Sequence, residues 1–239
     1  MTDEYWWRNT TIVAGMDIGK KGNPSHLSAF AITKEEHPEA EKEEDKMKEV
    51  LVQVSQRFLD GWEYTRQVEF VKATIEYFNI QRMYYDNTRG ELEERSLPRK
   101  CIPIVLSNVT GRKTKSKMEL AVNFSKLVEQ HRIKLIDDDR FIAQITCVTN
   151  DLHAPNTTAG HGDSFISCML AIGVYYDFYA TDRRLGHANL GDMQELLVKK
   201  DVSLRSRDLS DNICKVCRNR VFIYLPDGRK KCERCQTIW

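Results

Sequence analysis

The sequence predicts a mixed α/β fold, with helices flanking a central sheet, and a small additional module at the C-terminus. Two observations predict the α/β domain. Strand-like apolar runs and amphipathic segments follow one another along residues 11–148, and a nearly all-apolar helix comes next. A third observation, two CxxC pairs close together near the C-terminus, predicts the small module.

Apolar or alternating runs predict five strands, and apolar residues at helical spacing predict four helices. Val68, Val71 and Ile75 show the helical spacing in the first of these helices. The predicted strands cover residues 11–17, 26–33, 50–56, 81–85 and 101–106, and the predicted helices cover residues 64–78, 118–131, 140–148 and 165–179.

The chain length allows one substantial α/β domain and a small appendage, since the chain has 239 residues. We predict the α/β domain over residues 1–180, a partly helical linker over 181–211 and the cysteine module over 212–239. No run approaches the roughly eighteen apolar residues of a membrane span, and the polar start does not resemble a signal peptide. The sequence therefore predicts an intracellular protein that makes no membrane contact.

Three aspartates stand at the ends of apolar elements. Asp17 closes the first predicted strand, Asp86 follows the fourth, and Asp163 precedes the last helix. If they meet at one sheet edge, three carboxylates repel one another unless cations neutralise them. Oxygen-only ligands suit Mg²⁺ or Mn²⁺, and two such ions about 4 Å apart can activate a water against a phosphodiester. The sequence therefore predicts hydrolysis of a nucleic-acid backbone.

Each aspartate also has an ordinary structural interpretation. Asp163 before a helix is typical of an N-cap, and Asp17 and Asp86 lie where turn-forming residues are common. Taken singly, these interpretations are the commoner ones. The shared position of all three at ends of apolar elements favours the metal site.

Four segments resemble, in order, the nuclease domain of the large terminase subunit of tailed bacteriophages. They are VAGMDIGKKG, YYDNTRGELEE, KMELAVNFSKLVEQHRIKLIDDDRFIAQI and AGHGDSFISCMLAIG, and the resemblance covers about residues 12–179. It implies a ribonuclease-H-like fold with Asp17, Asp86 and Asp163 holding two Mg²⁺ or Mn²⁺ ions. It also implies an endonuclease that cuts concatemeric viral DNA during genome packaging, in the cytoplasm of the infected bacterial host. The implied partners are double-stranded DNA, a packaging ATPase, the small terminase and the portal.

The chain departs from that family in one respect. It has no GxxxxGK[ST] phosphate-binding loop, and the nearest string, GMDIGKK, lacks both the spacing and the Ser/Thr. We therefore expect the ATPase on another part of a longer protein or on a separate subunit. Two other interpretations stay open: another ribonuclease-H-like nuclease, such as a Holliday-junction resolvase, and a DNA- or protein-binding module that does not cut.

The paired cysteines predict a zinc ribbon. Two CxxC pairs can place four thiolates around one Zn²⁺, and between them VFIYL reads as a strand and Pro226-Asp227-Gly228 as a hairpin turn. Four thiolates leave no open position on the ion, so the predicted role is structural. A pair of redox CxxC motifs is disfavoured, because the βαβ context is missing. The predicted zinc ligands are Cys214, Cys217, Cys232 and Cys235.

Two basic segments are candidate DNA contacts. One is the loop GRKTKSK before the helix at 118–131, and the other surrounds the ribbon hairpin. Residues 212–239 hold seven Lys and Arg against two acids, which gives +5 and leaves −4 for the rest of a chain of net charge +1. Lys and Arg bind phosphates without sequence preference, while a solvated loop and a solubility role are the alternatives. The predicted contacts are Arg112, Lys113, Lys115, Lys117, Arg229, Lys230 and Lys231.

Overall fold

The structure is a computed structural model, and it divides into two compact units, Met1–Leu204 and Arg205–Trp239. It describes residues 6–19, 24–36, 47–88, 90, 96–107, 114–155, 157, 160–180, 203–204, 222–224 and 230–232. The first unit contains a short 3-10 turn, eight strands and four helices in its described residues. They are the turn Trp6–Asn9, β1 (Thr11–Asp17), β2 (Ser25–Glu36), β3 (Met47–Leu59), α1 (Tyr64–Tyr77), β4 (Arg82–Asp86), β5 (Cys101–Ser107), β6 (Thr114–Ser116), α2 (Lys117–Glu129), β7 (Ile133–Ile136), α3 (Asp139–Thr146), α4 (Asp163–Phe178) and β8 (Ser203–Leu204).

The eight strands form one mixed sheet in the order β6-β5-β4-β1-β2-β3-β7-β8. β1, β2 and β3 make an antiparallel meander, while β4 pairs in parallel with β1 and β7 pairs in parallel with β3. The C-terminal ends of β1 and β4 therefore lie at the same edge as the start of β2 and the end of β3. We refer to this edge, defined by Asp17 and Asp86, as the aspartate edge.

Helices cover both faces of the sheet. In β1, the alternate residues Ile12, Ala14 and Met16 belong to the core beneath α1, while Val13 belongs to the core beneath α2, α3 and α4. A period of two along the strand thus places Gly15 and Asp17 on the α4 face.

The central helix α4 packs backbone to backbone on β1. A Cβ atom at Gly15 would lie 2.1 Å from the Ser167 carbonyl oxygen and 2.4 Å from the Ala171 backbone nitrogen. Such distances leave no room for any side chain larger than hydrogen. Glycine at this position is what allows the helix to approach the strand so closely.

The five predicted strands and four predicted helices of the first unit are confirmed, with ends shifted by a few residues in β2 and β3. The sequence did not predict β6, β7 or β8. β8 lies inside the predicted linker and pairs with β7, and the first compact unit is Met1–Leu204.

The second unit contains an antiparallel hairpin of β9 (Phe222–Tyr224) and β10 (Lys230–Cys232). This confirms the predicted strand within VFIYL, whereas the residues of the predicted turn lie outside the described residues. Among the helices that the structure describes, none is long and apolar enough to cross a membrane.

Candidate active site

Two of the predicted aspartates occupy neighbouring strand ends. Met16 of β1 is opposite Tyr85 of β4 in a parallel pair, and Asp17 and Asp86 are the next residues along. Neighbouring strands lie about 4.8 Å apart, so the two backbones are adjacent at this point. Tyr84 belongs to the core beneath α4, and alternation therefore places Asp86 on the same face as Asp17.

Asp163 is the first residue of α4, and the residue that caps the helix is Gly162. Gly162 has φ 74°, and a Cβ atom there would lie 2.7 Å from Ala154 Cβ, so glycine is required on both grounds. The N-cap interpretation of Asp163 is therefore wrong. Asp163 is instead the first residue of the helix that packs over β1.

The carboxyl group of Asp163 is buried and incompletely partnered. The residue is 5% exposed, and its Oδ2 atom has no hydrogen-bond partner among the described residues. Burial raises the pKa of this carboxyl, while the nearby His161 and Arg140 oppose the rise. A buried carboxylate oxygen is costly unless a donor or a cation meets it. A cation or a hydrogen-bond donor next to Oδ2 would therefore stabilise the ionised form of Asp163.

The start of α4 lies at the aspartate edge. Ser167, one turn after Asp163, lies with its Oγ 2.6 Å from His26 Nδ1, and His26 is the antiparallel partner of Asp17. The fold thus brings the backbones of all three predicted aspartates to one region. The described residues nevertheless contain no group of three or more His, Cys, Asp or Glu side chains arranged to hold a metal ion. A shared metal site stays a prediction.

The side chain of Asp86 also has a local role. Its Oδ1 accepts a hydrogen bond from the Thr88 backbone N–H at 2.9 Å and a second from the Thr88 hydroxyl. The Thr88 oxygen in turn accepts from the Leu106 N–H at 2.9 Å, which ties the turn to β5. The turn-former interpretation is correct for this oxygen. It is compatible with metal binding, because a carboxylate has two oxygens and about four acceptor positions.

A fixed cation that sequence reasoning missed lies near Asp163. Arg140 Nη1 and Nη2 donate to the two Asp60 carboxylate oxygens at 2.6 and 2.7 Å, and its guanidinium lies 3.8 Å from the Phe58 ring centroid. Asp60 directly follows β3, whose last residue Leu59 pairs with Ser25 at the aspartate edge. Asp60 raises the pKa of Arg140, with smaller contributions from Asp163 and Asp138. Only the fold brings residues 60, 140 and 163 together.

His26 is a buried histidine at the same edge, and it too was missed. It is fully buried, and its Nε2 lies 2.9 Å from Gln56 Oε1. Burial lowers the pKa of His26 to about 4, although the Gln56 hydrogen bond acts in the opposite direction. The imidazole is therefore neutral at physiological pH.

Of the four predicted DNA contacts in the basic segment before α2, the structure describes two, Lys115 and Lys117. Lys115 lies in β6, its side chain is 13% exposed, and its Nζ is 2.8 Å from Asp177 Oδ2. Lys115 therefore has a structural ion pair, and not the loop position that was predicted. Lys117 begins α2, after the N-cap Ser116. Arg112 and Lys113 lie outside the described residues.

The predicted zinc ligands and the basic residues of the ribbon lie largely outside the described residues. Cys214, Cys217, Cys235 and Arg229 lie outside the described residues. Cys232, Lys230 and Lys231 belong to β10, of which only the backbone is described. The four-thiolate site stays a prediction.

Comparison with known proteins finds a similar fold without a sequence relative. Neither a protein-family model nor a curated protein matches the chain. Among solved structures, the large terminase nuclease from thermophilic phage G20c is similar with a TM-score of 0.50 and 17% identity, over 72% of this chain and 84% of that one. The chain has the fold of this nuclease. The large terminase of bacteriophage HK97 is similar over 69% of this chain and 39% of that one, at 14% identity and a TM-score of 0.42.

The likeness to the G20c terminase nuclease confirms the predicted fold class, a ribonuclease-H-like mixed sheet flanked by helices. At this level of identity the likeness concerns the fold alone.

Proposed function

We propose that this chain is a metal-dependent DNA endonuclease that acts in viral genome packaging, as the nuclease part of a large terminase. The observation that carries the proposal is the placement of Asp17, Asp86 and Asp163 at one edge of a terminase-nuclease fold. The three residues predicted from the sequence occupy neighbouring strand ends and the start of the helix that covers them.

The residues fit a hard divalent cation. Asp163 Oδ2 is buried without a hydrogen-bond partner in the described structure, and burial disfavours its ionised form. A cation beside it would remove both penalties. Carboxylate oxygens are the ligands that Mg²⁺ and Mn²⁺ prefer, and we propose that Asp17, Asp86 and Asp163 hold two of these ions. When bound, the ions would supply an activated water and neutralise the leaving oxygen of the phosphodiester.

The chain itself would position the carboxylates. Thr88 donates to one oxygen of Asp86 and accepts from the Leu106 N–H of β5, which fixes the position of that carboxylate. The close contact of Gly15 with α4 sets the distance between the helix and β1. Arg140, held by Asp60, offsets part of the negative charge around Asp163. A fixed cation beside the carboxylates favours their ionised, ligand-competent form.

The wider role rests on the sequence resemblance together with the fold. We propose that the substrate is concatemeric double-stranded DNA in the cytoplasm of an infected bacterium. A packaging ATPase on another domain or subunit, the small terminase and the portal would be partners. The candidate DNA contacts are Arg112, Lys113, Lys115, Lys117, Arg229, Lys230 and Lys231. We propose one structural Zn²⁺ on Cys214, Cys217, Cys232 and Cys235.

The function can be tested by incubating the chain with supercoiled plasmid in Mn²⁺ and in EDTA. Asp86→Asn is the informative variant, because it keeps the oxygen that accepts from Thr88 and removes the charge. Glu76→Gln, on the exposed side of α1, is the matched control. We expect the wild type and Glu76→Gln to cut in Mn²⁺ only, and Asp86→Asn to be inactive. Cleavage that is confined to four-way junctions would favour a resolvase, and no cleavage at all would favour a binding module.

A further inference from the structure

A line of buried polar side chains lies between α4 and the sheet, and it ends beside the candidate metal site. All of its members from β2 and α4 are fully buried, and they lie beside the apolar core beneath α4. The line begins at the Ile136 backbone N–H, which donates to Gln53 Oε1 (2.9 Å), and Gln53 Nε2 donates to Ser28 Oγ (3.2 Å). Ser28 Oγ lies 3.2 Å from Ser167 Oγ, which lies 2.6 Å from His26 Nδ1. The line ends where His26 Nε2 lies 2.9 Å from Gln56 Oε1. We refer to this line as the buried polar chain.

One assignment of protons satisfies every contact in the buried polar chain. Gln56 Oε1 can only accept, so His26 Nε2 carries a proton. The Nδ1 atom of a neutral imidazole must then accept, which directs the single Ser167 hydroxyl proton to His26 and not to the Ser164 carbonyl oxygen. The Ser28 hydroxyl donates to the Ser167 oxygen, and the Gln53 amide donates to Ser28. A consistent direction along buried hydrogen bonds makes them mutually supporting and rigid.

The Ser167–His26 bond joins α4, which carries Asp163, to β2, the strand that pairs with β1 at Asp17. Ser167 lies four residues after Asp163, on the next turn of α4, and His26 is paired with Asp17 across β1 and β2. Ser167 Oγ also lies 2.9 Å from the Ser164 carbonyl oxygen, but that contact stays within the helix. The bond to His26 crosses from the helix to the sheet.

The packing around this bond makes a directional contact useful. Where Ser167 and Ala171 contact β1, the strand has only the hydrogen atom of Gly15. No side chain of β1 therefore blocks a movement of the helix along the strand at this point. Apolar contact is non-directional and tolerates small sliding movements, whereas a hydrogen bond with both partners buried has one favoured geometry. The buried polar chain therefore fixes where α4 stands along the strand.

We propose that Ser167 and His26 are positioning residues that set the separation between Asp163 and Asp17 for metal binding. The inference rests on the proposed function, since it concerns the same site. Loss of the bond leaves His26 Nδ1 without its donor and lets the first turns of α4 shift relative to β1. Metal affinity depends steeply on ligand separation, and residues that orient metal ligands typically change affinity about 10- to 100-fold when they are replaced.

The test measures Mn²⁺ binding by the full chain without DNA, from the electron paramagnetic resonance signal of unbound Mn²⁺, together with melting in EDTA. Ser167→Ala removes the crossing bond. Tyr175→Phe is the matched control on the same helix, because its hydroxyl donates to Glu49 Oε2 (2.7 Å) and accepts from Arg132 Nη2 (2.8 Å), two turns further on. We expect both variants to melt at lower temperature, but only Ser167→Ala to bind Mn²⁺ about tenfold or more weakly.

A Ser167→Ala protein that melts lower but binds Mn²⁺ as tightly as the wild type would overturn the inference and leave the proposed function standing. If Ser167→Ala does not fold, Ser28→Ala removes the next donor in the chain and carries the same expectation, with wild-type affinity as the contradicting result. A wild type that binds no more Mn²⁺ than Asp86→Asn would remove the proposed function, and this inference with it.

Discussion

Arg140 and Asp60 form a two-bonded ion pair beside the start of α4, with Nη1 to Oδ2 at 2.6 Å and Nη2 to Oδ1 at 2.7 Å. The residues are 80 positions apart in the sequence, and the pair fixes a guanidinium close enough to Asp163 to affect its carboxyl group. The side chains are 37% and 53% exposed, so the pair itself contributes little to stability. We therefore expect the pair to act mainly through the effect of the Arg140 charge on the Asp163 carboxyl group.

Replacing Arg140 should raise the pKa of the Asp163 carboxyl further. Arg140 lowers this pKa against the effect of burial, and Arg140→Met removes that contribution. The measurement is an NMR titration of the Asp163 carboxyl carbon in the metal-free protein. The free energy of unfolding should change by less than about 1 kcal/mol. Arg66→Met removes a guanidinium that stacks on Trp62 instead, and should leave the Asp163 titration unchanged; an equal shift in both variants would contradict the account.

The neutral state of His26 predicts acid sensitivity of the fold. The pKa of His26 is about 4 in the folded protein against 6.5 unfolded, so between these values the unfolded chain binds the extra proton. This contribution to stability is present above about pH 6.5 and is lost as the pH falls towards 4. Its total is about 3 kcal/mol, since one pKa unit corresponds to about 1.4 kcal/mol.

Urea unfolding of metal-free protein at several pH values checks this prediction. His26→Gln should flatten the pH dependence between 6.5 and 4. Asp163→Asn should steepen the fall near the acid end, because the raised pKa of Asp163 lets the folded state take up a proton first. An unchanged slope in His26→Gln would show that His26 is not the titrating group.

Gly15→Ala should destabilise the first unit severely. The new methyl group would lie 2.1 Å from the Ser167 carbonyl oxygen, and backbone cannot move aside as a flexible side chain can. We expect a loss of about 3 kcal/mol or more in the free energy of unfolding, at the upper end for overpacked cores. Gly61→Ala is the control, because its φ of 69° strains an alanine by about 1 kcal/mol while nothing lies within 4 Å of the new atom. Equal losses would contradict the close approach of α4 to β1.

The second unit should contribute to DNA affinity and not to cleavage chemistry. Residues 205–239 contain nine Lys and Arg and four Asp and Glu, a net charge of +5. A chain that ends at Leu204 should therefore bind DNA more weakly, with a smaller dependence of affinity on salt, and keep Mn²⁺-dependent cleavage. In the full chain, Lys230→Gln with Lys231→Gln should reduce the salt slope by up to about two. An unchanged slope in both proteins would indicate that this unit binds a protein.

The sequence located elements whose signals are local. β1 was predicted over its full range, because an apolar run from Thr11 ends at a charged residue and a glycine-containing turn. β7 is only four residues long and follows α2 after a short turn, and its short run of alternating apolar residues was not predicted as a strand. β6 is polar throughout and is a strand only because β5 pairs with it. Short or polar strands of this kind depend on non-local pairing, which no window of sequence shows.

The same limit applies to the candidate site. Asp17, Asp86 and Asp163 were identifiable because each stands at the end of an apolar element. His26 gave no such signal, since its role depends on Ser167 141 residues away. Lys115 lay in a basic string that predicted a loop, and its ion pair with Asp177 arises only when β6 meets the end of α4.

Anomalous diffraction from crystals grown with Mn²⁺ tests most directly whether the three aspartates form a metal site. We expect one or two manganese peaks at the aspartate edge, roughly 2.1 Å from carboxylate oxygens of Asp17, Asp86 and Asp163. If there are two peaks, they should lie about 4 Å apart. Crystals of Asp86→Asn grown in the same way should lose or weaken these peaks. A wild-type map with no manganese there, or with manganese bound elsewhere, would contradict the account.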